Sequence, residues 1–324
     1  MVTLVLRRIV VALALVFGLT TLVFFLSRLL PGDPALLFIA PSVPASVADQ
    51  LRHDFGLSGS FTRQYFSWLA GIFRGQMGYS FSLHRDVLGI IGETLPYTLL
   101  LAGGAIVLEF FLAIGVVYGL HRRNSASRNR LFSVASISMY TMPSFWMAYL
   151  LLQAFTVSWH IFPSSHYHSV GIDTASWLSS TADFLLHLIL PVCTLALPGA
   201  AGLSRFLKAS VDQVAGMDYV LFARSQGQSG LGIFFRTILP NAVAPLLTLG
   251  GLELGTLLAG ALITEQIFSL PGMGRLTVAA LFARDYPLIL GCTMTAGIAV
   301  IASNMIADIL HAALDPRIRG GRRA

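Results

Sequence analysis

Three histidines lie close together in one loop of this chain, and their side chains are candidate metal ligands. His160, His166 and His168 could together ligate a borderline metal ion. Their spacing matches no metal-site signature. A polar loop that is rich in histidine is therefore the preferred interpretation, with metal binding as the alternative.

Four other polar residues interrupt strongly apolar segments. Glu109 and Glu253 could line a translocation path, or they could be neutral and hydrogen-bonded inside a helix bundle. The sequence leaves both readings open. Asn304 and Asp308 are four residues apart and share one helix face. Pairing of Asp308 with a nearby basic residue is the favoured explanation.

The sequence contains no recognisable catalytic motif. There is no GxxxxGK[ST] loop, no HExxH motif and no recognisable Ser-His-Asp or Cys-His arrangement. The two cysteines, Cys193 and Cys292, both fall in apolar segments and cannot form a CxxC-type metal site. We predict that the chain is not an enzyme and binds no cofactor of its own.

The composition places these residues in a membrane protein. Of the 324 residues, 55% are hydrophobic and 11% are charged, whereas soluble domains carry about 25% charge. A helix needs about 20 apolar residues to cross a bilayer. Six segments meet that requirement, approximately 9–30, 97–120, 132–158, 184–204, 242–264 and 288–313. The sequence therefore predicts an all-α polytopic membrane protein with six transmembrane helices.

The distribution of basic residues predicts the orientation. Six spans put both termini on one side, and fourteen of the 21 Lys and Arg residues lie there. The positive-inside rule makes that side cytoplasmic. The net charge of +6 is thus a topology signal, and no nucleic-acid partner is needed to explain it. The first apolar segment is too long for a signal peptide and is predicted to be retained.

Four regions follow from this topology. We expect an N-terminal tail and first span over 1–34, an extracytoplasmic segment with interfacial helices over 35–95, a transmembrane core over 96–313, and a basic cytoplasmic tail over 314–324. In the second region, Tyr65 and Trp68 are predicted to anchor a short helix at the membrane interface. The basic 121–130 loop could contact anionic lipid.

The long cytoplasmic loop over 205–241 has an internal pattern. Within 217–245, apolar residues recur at helical spacing, Gly227 and Gly230 interrupt them, and Leu239-Pro240 closes the segment. This pattern predicts a helix, a glycine-containing turn, a second helix and a proline at the start of the next span. A compact two-helix element at the membrane surface suits docking to a partner.

The same stretch resembles the cytoplasmic coupling loop of ABC importer permeases. Its version DYVLFARSQG, from Asp218 to Gly227, is similar to that of the peptide/nickel branch. Leu221 and Phe222 stand where the wider family has Glu and a first Ala, and Thr237 stands where Ile is usual. The resemblance assigns ATPase coupling to seven residues: Asp218, Tyr219, Ala223, Arg224, Gly227, Leu239 and Pro240.

The resemblance extends over nearly the whole chain and identifies it as similar to the first-type permease of that branch. The matching segments are LPGDP at 30–34, FGLSGSFTRQYFSW at 55–68, TLPYTLLL at 94–101, MPSFWMAYLL at 142–151, IFSLPGMGRL at 267–276, RDYP at 284–287 and LDPRIR at 314–319. It implies a type I ABC importer fold. It also implies protein partners: a second, related permease in a heterodimer, two ATPase subunits that bind ATP and Mg²⁺, and an extracytoplasmic substrate-binding protein. Membrane lipid is a further expected partner, because of the basic 121–130 loop.

The cargo is not fixed by these motifs. Di- or oligopeptides are the expected cargo of the branch, and a nickel ion or metal chelate is the alternative. From other classes, the chain could be an ion-gradient-driven secondary transporter or a receptor that binds without transporting. Inverted repeats and broken midplane helices, expected of the former, are not evident in the sequence.

Overall fold

A computed structural model describes residues 2–29, 60–123, 125–169 and 177–314. Within these ranges the chain is helical apart from loops and one antiparallel pair of short strands, β1 (Tyr79–Ser80) and β2 (Arg85–Asp86). The predicted all-α class is confirmed. Residues 35–59 of the predicted extracytoplasmic segment and the basic tail after Leu314 lie outside the described residues.

Thirteen α-helices are described, in chain order. They are α1 (Val2–Leu29), α2 (Phe61–Phe73), α3 (Val87–Arg122), α4 (Ala126–Tyr140), α5 (Ser144–Leu151), α6 (Trp177–Ala215), α7 (Asp218–Ser225), α8 (Gly230–Ile233), α9 (Leu239–Ala242), α10 (Ala244–Gly260), α11 (Leu262–Ile267), α12 (Met273–Phe282) and α13 (Tyr286–Leu314). Two π-helical segments, Leu152–Ser158 and Phe234–Ile238, continue α5 and α8.

Four of the described helices, α1, α3, α6 and α13, are long and apolar enough to cross a membrane. The third predicted span is instead divided into α4, α5 and a π-helical segment, with the break at Pro143. The fifth is the 17-residue α10, which follows a break at Val243. A multi-pass helical architecture is therefore present, while a count of six spans stays a prediction.

Close helix contacts at small residues hold the bundle together. Helix α10 packs along α13, and a Cβ added at Gly251 would collide with Ala307. Small residues let two backbones approach closely, which strengthens packing where lipid gives no hydrophobic driving force. Helix α6 packs along α3 in the same bundle and contains Pro191 and Pro198.

The short helix predicted around Tyr65 and Trp68 is present as α2. Helix α2 lies against α1, where Tyr65 and Trp68 contact Phe24 with ring centroids 5.2 and 5.5 Å apart, and the Tyr65 hydroxyl lies 2.9 Å from Thr21 Oγ1. The two aromatic side chains thus fasten α2 to α1.

Candidate functional site

The residues assigned to ATPase coupling lie between Asp218 and Pro240, which together form the predicted coupling segment. Helix α7 and the turn after it form its centre. The helix begins after Met217, whose backbone is extended, and has Asp218 in its first turn and Arg224 in its last. Both charges suit the helix dipole. Gly227 ends the element at φ +71°, a left-handed conformation that glycine adopts without strain. The predicted sequence of helix, glycine turn and second helix is confirmed.

The two faces of α7 differ sharply in exposure. Val220 and Ala223 are 0% and 6% exposed, whereas Leu221 and Phe222 are 52% and 64% exposed. Tyr219 is also exposed. An apolar surface on a helix outside the spans is unusual unless a partner covers it. The outer face of α7 is therefore the part of this segment that can bind another protein.

The inner face of α7 belongs to a buried cluster that reaches the long helices. Val220 and Ala223 share this cluster with Leu207 and Val211 of α6 and with Val117 of α3. Phe234, which is fully buried, joins the second half of the segment to α3, because its ring lies 5.0 Å from that of Tyr118. A displacement of α7 would therefore be carried directly into α3 and α6.

Ala223, which the resemblance assigns to ATPase coupling, does not lie on the exposed face of α7. Its side chain faces the chain's own core beside Ile233 and Phe234. In an eight-residue helix that is apolar on both sides, the periodicity does not say which face is inward. The exposed residues Leu221 and Phe222, noted in the sequence only as departures from a motif, occupy the outward positions instead.

Leu239 and Pro240 form a joint between the coupling segment and α10. Leu239 packs on the buried cluster, and Pro240 is exposed in the first turn of α9, directly after the π-helical segment. Proline cannot donate a backbone hydrogen bond, and π-turns with prolines are common causes of helix bends. These two residues therefore shape the chain where it turns into the bundle.

Glu109 lies at the centre of the α3–α6 packing. Its side chain is 0% exposed, and neither carboxylate oxygen has a hydrogen-bond partner within the described residues. The carboxylate lies directly against Gly199, next to Pro198, so closely that a Cβ at 199 would collide with it. Glu253, on α10, is half-buried. Both positions are inside the bundle, and neither lies at the coupling segment.

Substitution of Gly199 by Ala is expected to lower the unfolding midpoint, since overpacking costs about 1–3 kcal/mol. Glu109→Ala in the same chain should restore the midpoint, because it removes the carboxylate that the new methyl group meets. Gly103→Ala is the control, as no atom lies within 4 Å of a Cβ built at 103. Additive effects of the two changes in a thermal unfolding assay would contradict this contact.

The remaining polar residues of the spans have separate surroundings. Asp308 pairs with Arg8 of α1 at 2.5 Å, so it has the basic partner that the sequence favoured. Asn304 Oδ1 is buried without a hydrogen-bond partner among the described residues and faces the Gly255 position. The Arg8–Asp308 pair joins the first and last long helices.

The three loop histidines do not form a metal centre with other described residues. His168 Nδ1 lies 3.2 Å from Asp183 Oδ2, and His166 Nδ1 lies 2.9 Å from its neighbour Ser165. Among the residues that the structure describes, no three His, Cys, Asp or Glu side chains are arranged to hold a metal ion. His168 instead ties its loop to the start of α6.

Two buried carboxylates were not predicted from the sequence. They lie at the end of the bundle opposite the coupling segment. Glu265 accepts hydrogen bonds from Thr98 Oγ1 at 2.6 Å and from the backbone N–H of Arg275 at 3.0 Å. Asp285 accepts from both hydroxyls of Ser80 and Ser82 at 2.6 and 2.7 Å. They fasten α12 and the β1–β2 hairpin to the bundle. Their partners are distant in sequence, so no local pattern indicated them.

Comparisons with known proteins cover the whole site. The family described as "Binding-protein-dependent transport system inner membrane component" matches residues 111–320, and its N-terminal companion matches residues 1–102. A protein of Brucella ovis named as a peptide permease is 35% identical over 97% of this chain and 98% of its own. The oligopeptide transport system permease protein AppB of Bacillus subtilis is 31% identical over 97% and 98%.

Proposed function

Because this chain belongs to the family of binding-protein-dependent transport system inner membrane components, we propose that it is the permease subunit of an ATP-driven peptide importer. It is a multi-pass inner-membrane protein of that family. The observation that carries the proposal is the two-faced helix α7, which is apolar outside and built into the cores of α3 and α6 inside. Such a helix can receive force from a partner and deliver it to the bundle.

ATP hydrolysis takes place in two partner subunits. The outer face of α7, formed by Tyr219, Leu221 and Phe222, docks into a groove on an ATPase, and Asp218 and Arg224 flank the contact. ATP and Mg²⁺ are bound by the ATPases, and this chain binds neither. The sequence contains no phosphate-binding loop that would support the opposite assignment.

The importer works by alternating between two packings of its helices. Binding of ATP favours the closed pair of ATPases, since a ligand shifts an equilibrium only through its differential affinity for the two states. Closure moves α7 as a rigid lever, and the buried cluster transmits the movement to α3 and α6. A second, related permease completes the pore. A substrate-binding protein delivers cargo at the end where the hairpin and α12 lie. Both termini are cytoplasmic, as the charge distribution favours.

Peptides are the proposed cargo because relatives that match nearly the full length carry peptide or oligopeptide transport in their names. The nickel alternative has weaker support, since among the described residues no three His, Cys, Asp or Glu side chains are arranged to hold a metal ion. We would measure uptake of a labelled tripeptide and of radiolabelled nickel into proteoliposomes that hold the complete importer. Peptide uptake that survives replacement of His160, His166 and His168 by Ala supports the proposal. Nickel uptake that the same change abolishes would overturn it.

Gly227→Glu is expected to abolish uptake while membrane insertion is retained. The residue lies at the end of α7, where no atom of the described residues other than its two chain neighbours lies within 4 Å of an added Cβ, so bulk there would meet the partner. The positive φ adds strain for any other residue, and Asn tolerates it best. Gly227→Asn separates the two causes in the uptake assay. Loss of uptake in both variants supports docking at this position. Loss of uptake in Gly227→Glu alone would show that the conformation of the turn, not contact with a partner, is what uptake requires.

A further inference from the structure

A second surface of this chain has the shape and charge of a ligand site. A groove of about 510 Å³ opens where α3 ends and α4 begins. Three arginines line it, Arg122, Arg123 and Arg128. Its remaining walls include apolar side chains, namely Val116, Leu120, Leu131 and Phe132. The groove therefore combines a concentrated positive charge with an apolar wall that continues along two helices.

The positive charge of the groove is not balanced by the chain itself. Within the described ranges, none of the three guanidinium groups forms an ion pair with a carboxylate. Arg128 belongs to the first turn of α4, whose N-cap Ser125 makes no side-chain capping bond. A helix N-terminus with free amide groups adds to the attraction for an anion. Three positive charges that line one groove attract an anion into it.

We propose that this groove binds the headgroup of an anionic phospholipid. Arg122 and Arg128 hold the phosphate, for which the planar guanidinium offers paired donors. The acyl chain runs along Val116 and Leu131, of which Leu131 is 71% exposed. The apolar wall favours a lipid over free phosphate, because only a lipid has an acyl chain to cover it. The groove also lies at the end of a predicted spanning helix, where lipid headgroups are located.

The lipid site adjoins the coupling segment. Tyr118 and Arg122 also line a neighbouring groove of about 500 Å³, whose other walls include Gly230 and Leu231 of the coupling segment. A lipid held by Arg122 thus lies one side chain away from the second half of that segment. Bound anionic lipid would stabilise the contact between the C-terminal end of α3 and the coupling segment.

The test is lipid retention by the complete, detergent-purified importer, measured by native mass spectrometry with added phosphatidylglycerol or phosphatidylcholine. We expect wild type to retain phosphatidylglycerol selectively. The double variant Arg122→Gln/Arg128→Gln should bind it about twenty-five-fold more weakly, from about fivefold for each arginine near an anionic headgroup. The matching double Lys variant keeps the charge but lacks the paired donors, so its affinity should lie between those of wild type and the double Gln variant.

Arg130→Gln is the matched control, because Arg130 is exposed on the same helix and does not line the groove. It should bind phosphatidylglycerol like wild type, and an equal loss in this variant would show diffuse surface attraction and overturn the site. Displacement of the lipid by inorganic phosphate at equal concentration would assign an ion site instead. Unchanged lipid binding with loss of an ATPase subunit in the double Gln variant would make the groove a protein contact.

Discussion

Phe222→Asp is expected to lower ATP-driven peptide uptake by on the order of thirtyfold or more. The ring is 64% exposed on the outer face of α7, and central aromatic residues of an interface contribute about 2 kcal/mol or more each. An aspartate there would also be desolvated without a partner. Because the ring contributes little to the chain's own core, stability should change by about 0.5 kcal/mol or less. Uptake in proteoliposomes and co-purification of the ATPase subunits measure the effect.

Two controls separate docking from folding in this experiment. Phe222→Leu keeps an apolar side chain and should retain most of the uptake. Phe66→Ala, at a ring that is 66% exposed on α2 and far along the chain from the coupling segment, should leave ATPase binding unchanged, while Phe222→Ala should weaken it. If Phe222→Asp transported peptide at the wild-type rate, the outer face of α7 would not be the docking surface.

Asp285→Ala is expected to destabilise the end of the bundle that holds the hairpin by about 3–5 kcal/mol. The carboxylate is 0% exposed and accepts from the Ser80 and Ser82 hydroxyls and from the Ser82 backbone N–H at 3.0 Å. It also accepts from the Leu288 N–H at 3.3 Å, at the start of α13. Removing it leaves several buried donors without an acceptor, and bonds to charged groups contribute about 1.5–3 kcal/mol each.

The thiol of Cys292 offers a local readout of that loss. It is buried in the cluster that contains Leu288 and Val87, so a thiol-reactive dye should label it only after this end opens. In a Cys193→Ala background, the labelling midpoint should fall by roughly 10 °C for Asp285→Ala. Asp86→Ala, which removes one exposed capping bond to the Gly89 N–H, should cost only about 1 kcal/mol. Equal midpoints in the two variants would show that Asp285 does not hold the hairpin.

Local signals made the coupling segment predictable from the sequence. Glycine at a positive φ and proline at a helix start act through their own backbone geometry. The sequence therefore predicted the turn at Gly227 and the helix start at Pro240 correctly. The predicted class of polytopic helical permease followed from composition and motifs spread along the chain.

Contacts between distant parts of the chain were not predictable. Asp285 and Ser80 are 205 residues apart, and nothing near either residue indicates the other. The inward face of α7 depends on which surface of α6 it meets, so the burial of Ala223 in the chain's own core was not evident from the sequence. The break of the third predicted span at Pro143 was hidden because hydropathy counts apolar residues without regard to backbone geometry.

ATP-driven import can be tested by peptide uptake into proteoliposomes that contain this chain and its partner permease, with and without the ATPase subunits and with and without ATP. We expect concentrative uptake only when the ATPases and ATP are both present, and loss of that uptake in Phe222→Asp. Accumulation of peptide by the two permeases alone, driven by an ion gradient, would contradict ATP-driven import.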